Sequence, residues 1–261
     1  MTMPQLYDMH LHLEAFAQPV EVARELAALG VGLLSVTVSP ASYEETLALG
    51  PLDDVHYAAG LHPWGFASGE DPEPAVQALL DLVGQTRFVG EIGLDYLEKH
   101  VPQEAWTAER DAFVRICQAC AEASDPTRPH VLSIHSVRAA TDVLDILEET
   151  GAARRCSCIF HWFGGSNDEL WLAIRLGCWF SCGPFMMGIK RSREYAKLIP
   201  ADRLLLETDY PPHDEGRDPA AWAEEVRDRL LEAAGIIAVA RGCETDEVLR
   251  LTRENSEALL G

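Results

Sequence analysis

The feature that most restricts what this chain can fold into is its alternation. Eight short runs rich in apolar and β-branched residues are separated by amphipathic stretches along 261 residues. The runs are "LYDMHLH" (6–12), "LLSVTVS" (33–39), "VHYAAGLHP" (55–63), "FVGEIGLD" (88–95), "HVLSIHS" (130–136), "CSCIFHWF" (156–163), "CWFSCGP" (178–184) and "RLLLETDYP" (203–211). Helical spacing fills 19–29, 42–49, 73–84, 103–123, 138–150, 167–176 and 192–199, and two further helical stretches, 219–240 and 244–260, follow the last run. Most runs are apolar throughout instead of strictly alternating, which suits parallel strands buried on both faces. A strand-then-helix unit repeated in this way predicts an α/β fold, a (β/α)8 TIM-type barrel, with a doubly wound open sheet as the alternative. Gly30 and Gly177 follow predicted helices, where a left-handed residue is common, and Ser166-Asn167-Asp168 supplies capping side chains. With no Ser- or Pro-rich linker in the chain, one domain over residues 1–261 is expected.

Ionisable residues fall at the C-terminal ends of these runs. His10 and His12 end the first, His62 the third, His135 the fifth, His161 the sixth and Asp209 the eighth; Glu91 lies on the fourth, with Asp95 at its end. A barrel carries its chemistry at that edge, so the fold predicts that these residues converge on one mouth. A single histidine in an apolar run is ordinarily a hydrogen-bonded core residue. Several imidazoles together with carboxylates are costly to bury unless they are paired or ligate metal. The set exceeds one tetrahedral shell and suits two divalent ions, Mg2+, Mn2+ or Zn2+, with Glu91 the best candidate to bridge them. Asp8, one step deeper on the first strand, and Glu207, two residues before Asp209, read as supports for ligands or as buried paired carboxylates.

Charge and cysteine content narrow the partners. The net charge of −21 excludes a generic basic surface for nucleic acid, so a polyanionic substrate must be attracted by local cations, which metal ions can supply. Seven cysteines, an odd count, read as free thiols. Cys117 and Cys120 have C-x-x-C spacing but sit in a helical pattern without a second such pair, so a buried-thiol reading outweighs zinc or redox chemistry. The start of the chain, "MTMPQLYDMH", lacks the basic and apolar regions of a leader, and no stretch approaches the ~18 apolar residues of a membrane span; a cytoplasmic location is expected.

"DMHLH", "GLHP", "GEIGLDY", "SIHS" with Arg138 two residues on, "HWFGGS", "LLLETD" and the late "ENSEALL" together resemble the motifs of TatD-like metal-dependent deoxyribonucleases, in that family's order and over nearly the whole chain. The resemblance implies a (β/α)8 barrel of the amidohydrolase-like group that hydrolyses DNA phosphodiesters with divalent metal. It implies that His10 and His12 ligate a first metal, Glu91 bridges, and His135 and His161 ligate a second. Asp209 would ligate metal and orient or deprotonate the water, which makes Glu91 and Asp209 the catalytic carboxylates. His62 and Arg138 map near the substrate, and Asn255 to a structural tie in the last helix. Many relatives have "HPH" where this chain has "HPW", so Trp64 stands in place of a histidine, either stacking on a base or walling the pocket. The segment "YPPHDEGRD" after Asp209 is unusual, and His213 within it either touches substrate or is simply exposed. The phrases "LSIHSVRAATDVLD", "FHWFGGS" and "LGCWFSCGP" look most like the TatD-type nuclease subunit of Qat antiphage defence systems, which implies partner proteins from such a system.

The expected activity is hydrolysis of DNA by a metal-activated water, as an exonuclease on single strands or strand ends. Two alternatives stand beside it. One is an amidohydrolase-type enzyme acting on a small amide, lactone or phosphoester, because fold and ligands do not choose the substrate. The other is a subunit of a defence complex that senses a nucleotide or nucleic-acid end.

Overall fold

A computed structural model describes residues 5–261; residues 1–4, part of the stretch read above for a leader, lie outside the described residues. In chain order the elements are β1 (Leu6–Leu11), α1 (Pro19–Ala28), β2 (Val31–Ser35), α2 (Pro40–Leu47), β3 (Val55–Tyr57), α3 (Glu73–Val83), β4 (Phe88–Asp95) and α4 (Trp106–Ala123). There follow β5 (Val131–Val137), α5 (Ala140–Glu149), α6 (Ala152–Arg155), β6 (Ser157–His161), α7 (Asn167–Arg175), β7 (Trp179–Cys182) and α8 (Pro184–Met187). The chain ends with α9 (Lys190–Leu198), β8 (Leu204–Leu206), α10 (Pro219–Arg241) and α11 (Thr245–Leu260). Two compact units divide these elements. The first holds the chain up to Ser35, Glu44–Tyr57 and Phe180–Gly261, the second Val36–Tyr43 and Ala58–Trp179.

In the first unit β1, β2 and β3 form a parallel sheet, with Leu6 opposite Val31 and Leu33 opposite Val55. β7 and β8 pair in parallel as well, from Phe180 opposite Leu204 to Cys182 opposite Leu206. Every residue of β1 and β2 is buried, as apolar runs between covering helices require. α10 packs on α1, α9 and α11, and α11 lies on β1 and β8. The Asn255 amide nitrogen donates to the carbonyls of Ala201 and Leu204, each at 2.8 Å, and ties α11 to the entry of β8. Gly30, two residues past the end of α1, adopts φ +71°, which glycine does without strain.

In the second unit β4, β5 and β6 run parallel, with Phe88 opposite Val131 and Val131 opposite Ser157. The register of β4 on β5 shifts between Val89 and Ile92, the stretch that carries Glu91. The close approach there depends on two glycines. A Cβ on Gly90 would stand 2.7 Å from the Ser133 Cβ, and one on Gly93, which has φ +142°, would stand 2.0 Å from the carbonyl oxygen of His135. α7 begins with a capping box in which the Ser166 hydroxyl accepts from Glu169 N–H while the Glu169 carboxylate accepts from Ser166 N–H.

Most strands are shorter than the sequence pattern predicts, and β3 and β8, each three residues long, are cut back furthest. β3 stops at Tyr57 and β8 at Leu206, so His62 and Asp209 sit in the segments after their strands and not at the strand ends. In the first case Gly60 presses against the backbone, where a Cβ would come within 1.7 Å of the Thr37 carbonyl oxygen, and Pro63 then opens a 3-10 turn over 63–68. In the second, Asp209 takes φ +60°, which no strand residue can do.

Candidate metal centre

The first unit supplies His10, His12 and Asp209. β1 sets His10 in the core, and the chain leaves the strand so that His12 follows on the same side, with the two ring centroids 5.3 Å apart. The segment after β8 is tied to β1 through its backbone: Asp209 N–H donates to the His10 carbonyl (2.9 Å) and His12 N–H to the Tyr210 carbonyl (2.8 Å). This brings Asp209 Oδ1 to 3.7 Å from His10 Nε2 and 3.5 Å from His12 Nε2. Asp8 reinforces the junction. Its Oδ1 accepts from the backbone N–H of His10 (3.1 Å) and Thr208 (3.0 Å), and its Oδ2 accepts the Thr208 hydroxyl (2.5 Å). Complete burial pushes the Asp8 pKa up to about 8, against the opposing pull of the Thr208 and His10 hydrogen bonds. Glu207 is buried, accepts a hydrogen bond from the Ser181 hydroxyl, and has a carboxylate oxygen within 4.8 Å of a His10 ring nitrogen. Glu14, which the sequence reading did not single out, lies 3.5 Å from His12 Nδ1.

The second unit gathers three imidazoles around one carboxylate. Glu91 Oε1 is 2.8 Å from His135 Nδ1, 2.9 Å from His161 Nε2 and 3.2 Å from His62 Nε2. His135 Nδ1 and His161 Nε2 face each other at 3.5 Å. All four residues are buried. Asp95 stands behind His135, with Oδ2 3.2 Å from its Nε2. The same oxygen accepts the Trp64 indole N–H and meets His100 Nδ1, both at 2.8 Å, while Oδ1 accepts Leu97 N–H at 3.0 Å. Burial alone would raise the Asp95 pKa, but the hydrogen bonds from His135, Trp64, Leu97 and His100 outweigh it and hold the carboxyl below its usual range. His135 is likewise held charged more readily than a free imidazole: burial works against its charged form, and the bonds to Asp95 and Glu91 prevail. Beneath Asp95, its backbone N–H donates to Glu109 Oε1 at 2.5 Å, and burial with the Asp95 charge pushes Glu109 up to about 8 despite that bond. His100, in the loop after β4, and Glu109, inside α4, carry no sequence signal beyond being polar residues. Their roles depend on how the loop after β4 folds back and on which face of α4 meets it.

Arg138, one residue past β5, is exposed, with φ +55° and no hydrogen-bond or ion-pair partner among the described residues. Trp162, next to His161, has φ +44°. Non-glycine residues at positive φ are strained, and such strain concentrates at functional sites. Trp64 is 52% exposed, and its ring lies beside those of His62 and His100. His213 is exposed and lies 3.5 Å from Glu215. All seven cysteines are free. Cys117 and Cys120 are buried and their thiol pKa values are raised by that burial, and no donor group among the described residues that could hold a metal includes a cysteine.

The donor sets come within about 0.3 Å of the spacing that a divalent-metal shell requires. A tetrahedral or octahedral shell built on bonds of about 2.1 Å has edges of roughly 3.0–3.4 Å. The triangle of His135 Nδ1, His161 Nε2 and Glu91 Oε1 has edges of 2.8, 2.9 and 3.5 Å, and the His10 and His12 nitrogens stand 3.7 and 3.5 Å from Asp209 Oδ1. Imidazole nitrogen mixed with carboxylate oxygen is a donor chemistry suited to zinc and manganese.

Deoxyribonuclease TATDN3 of Homo sapiens is 26% identical, the match covering 96% of this chain and 93% of that protein. The 3′-5′ ssDNA/RNA exonuclease TatD of Dickeya dadantii is 31% identical over 80% of this chain and 78% of its own. Among solved structures, the TatD homologue YJJV of Escherichia coli superposes with a TM-score of 0.77 at 19% identity, covering 99% of this chain and 98% of that one. That likeness establishes the fold class as the TatD-like (β/α)8 barrel and removes the doubly wound alternative. Residues 7–261 match the family described as TatD related DNase. The chain therefore belongs to the TatD family, and is one of its metal-dependent hydrolases.

Proposed function

We propose that this hydrolase cleaves phosphodiester bonds in DNA, as an exonuclease on single strands or strand ends, using two divalent ions held by His10, His12, Glu91, His135, His161 and Asp209. The observation that carries the reading is the convergence of three imidazoles on the Glu91 carboxylate within 3.2 Å, in a member of a DNase family. Divalent ions in such a set polarise a phosphoryl oxygen and lower the pKa of water. The chain's own residues do the remaining work. Asp209, partly exposed on its strained backbone, takes the proton from the attacking water. Arg138 neutralises charge on the phosphate by a charge-assisted hydrogen bond. Glu91 fixes the positions of His62, His135 and His161, and Asp95 fixes His135 from behind. Asp8 and Glu207 hold the backbone and side chains around His10. His62 and Trp64 contact the substrate.

The names of relatives such as the Dickeya exonuclease support the choice of substrate. The acidic surface supports strand ends over tight non-specific duplex binding. The test is metal analysis of purified protein joined to cleavage of a 3′-labelled single strand by wild type and Glu91→Gln, with small amide, ester and phosphoester panels in parallel. The expected result is DNA cleavage by wild type, with metal content and cleavage both lost in Glu91→Gln. Turnover of the small substrates alone would refute the nuclease reading. The phrases shared with the Qat nuclease subunit support a narrower proposal, a cytoplasmic role beside partner proteins in antiphage defence. Phage challenge of cells expressing wild type or Asp209→Asn together with its neighbouring genes tests it, and equal protection by the two alleles would show that catalysis is not the contribution.

A further inference from the structure

Trp64 is anchored in a way that an idle surface tryptophan is not. Its indole N–H donates to Oδ2 of the fully buried Asp95, and its backbone N–H donates to His62 Nδ1 at 3.1 Å. Both N–H groups are therefore satisfied, and the residue is half open to solvent. His100 is pinned to the same Asp95 oxygen, which sets its ring 4.7 Å from the Trp64 ring, inclined by 50°. On the other side the His62 ring stands 5.0 Å from Trp64, edge to face, and His62 Nε2 is 3.2 Å from Glu91 Oε1. The result is a rigid aromatic shelf one residue removed from the carboxylate that gathers the metal-ligating imidazoles.

From this arrangement we propose that Trp64, flanked by His100 and held by Asp95, is a stacking shelf for one unpaired nucleobase next to the phosphate being cleaved. The inference deepens the nuclease reading and rests on it for the substrate class. A base inside a duplex has both faces covered by its neighbours, so a single open ring selects for unstacked bases, which single strands and ends provide. Stacking also suits a chain of net charge −21, because it adds affinity without demanding further cations. Because the ring is already fixed at its edge, little side-chain freedom is lost on binding. A base–aromatic stack is worth about 5- to 150-fold in affinity.

The experiment compares binding of dAMP and of 2-deoxyribose 5-phosphate to the metal-loaded full-length protein by calorimetry, for wild type, Trp64→Phe and Trp64→Ala. Wild type is expected to prefer dAMP by about 5- to 150-fold. Trp64→Ala should bring that preference to near unity, and Trp64→Phe, which keeps a ring but loses the N–H, should retain most of it. No preference in wild type, an unchanged preference in Trp64→Ala, or equal damage from Phe and Ala would overturn the shelf, the last outcome assigning Trp64 to holding Asp95. Cleavage of the labelled strand, measured separately, keeps the two readings apart. A Trp64-dependent preference without cleavage overturns only the nuclease, and cleavage without that preference overturns only the shelf.

Discussion

Replacing Arg138 separates backbone strain from charge, because the two can be removed one at a time. At φ +55° a residue with a Cβ costs about 1–2 kcal/mol relative to its ordinary conformation. Glycine removes that cost but loses about 0.5–1 kcal/mol more to chain entropy on folding. Arg138→Gly should therefore stabilise the fold by about 0–1.5 kcal/mol, while Arg138→Ala, which keeps the Cβ, should stay within about 0.5 kcal/mol of wild type. The guanidinium is exposed and has no partner among the described residues, so neither change removes an internal contact. Both remove the charge proposed to meet the phosphate. A hydrogen bond to a charged group is worth about 1.5–3 kcal/mol, so kcat/KM on a DNA strand should fall by about 10- to 150-fold in both variants. Urea denaturation and steady-state kinetics on the same preparations read the two effects. Two results would refute the reasoning: Arg138→Gly less stable than Arg138→Ala, or full activity in either variant.

Two further predictions concern the frame around Glu91. Gly93→Ala places a Cβ 2.0 Å from the His135 carbonyl oxygen at φ +142°, so urea melts should show a loss of about 2–6 kcal/mol, and a loss below about 1 kcal/mol would mean that β4 has room to shift. Glu109, raised to about 8 from 4.5, binds a proton in the folded state that it lacks when unfolded. Its contribution is complete below about pH 4.5 and is lost as pH rises through about 8, so Glu109→Gln should flatten the decline in stability over that window, measured by melts at stepped pH; an unchanged slope would rule Glu109 out as its source.

Much of this architecture can be read from the chain because it rests on local rules. β4 spans the predicted 88–95, since an apolar run bounded by polar loops leaves little choice of ends. The glycine after α1 and the capping box of α7 lie where the cap chemistry put them. The candidate donors stand out in the sequence because most of them fall at or near the C-terminal ends of predicted strands. What sequence patterns do not carry is contact made by irregular chain. The short helices α6 and α8 span four residues each, too few for a period to register. His62 and Asp209 lie beyond strands that backbone crowding and a positive φ cut short. The Asp95 cluster joins Trp64, His100 and Glu109 from a turn, a loop and a helix, and no spacing rule connects them.

Gly60, Gly90 and Gly93 each admit no Cβ, because backbone or neighbouring side-chain atoms already occupy that space. Their consequence is evolutionary. The strand that carries Glu91 and the segment that leads to His62 cannot drift by small steps, since even alanine is barred at three points along them. A change in the proposed contact with a base must then come from side chains whose replacement crowds no backbone, and the half-exposed Trp64, beside this fixed frame, is such a side chain.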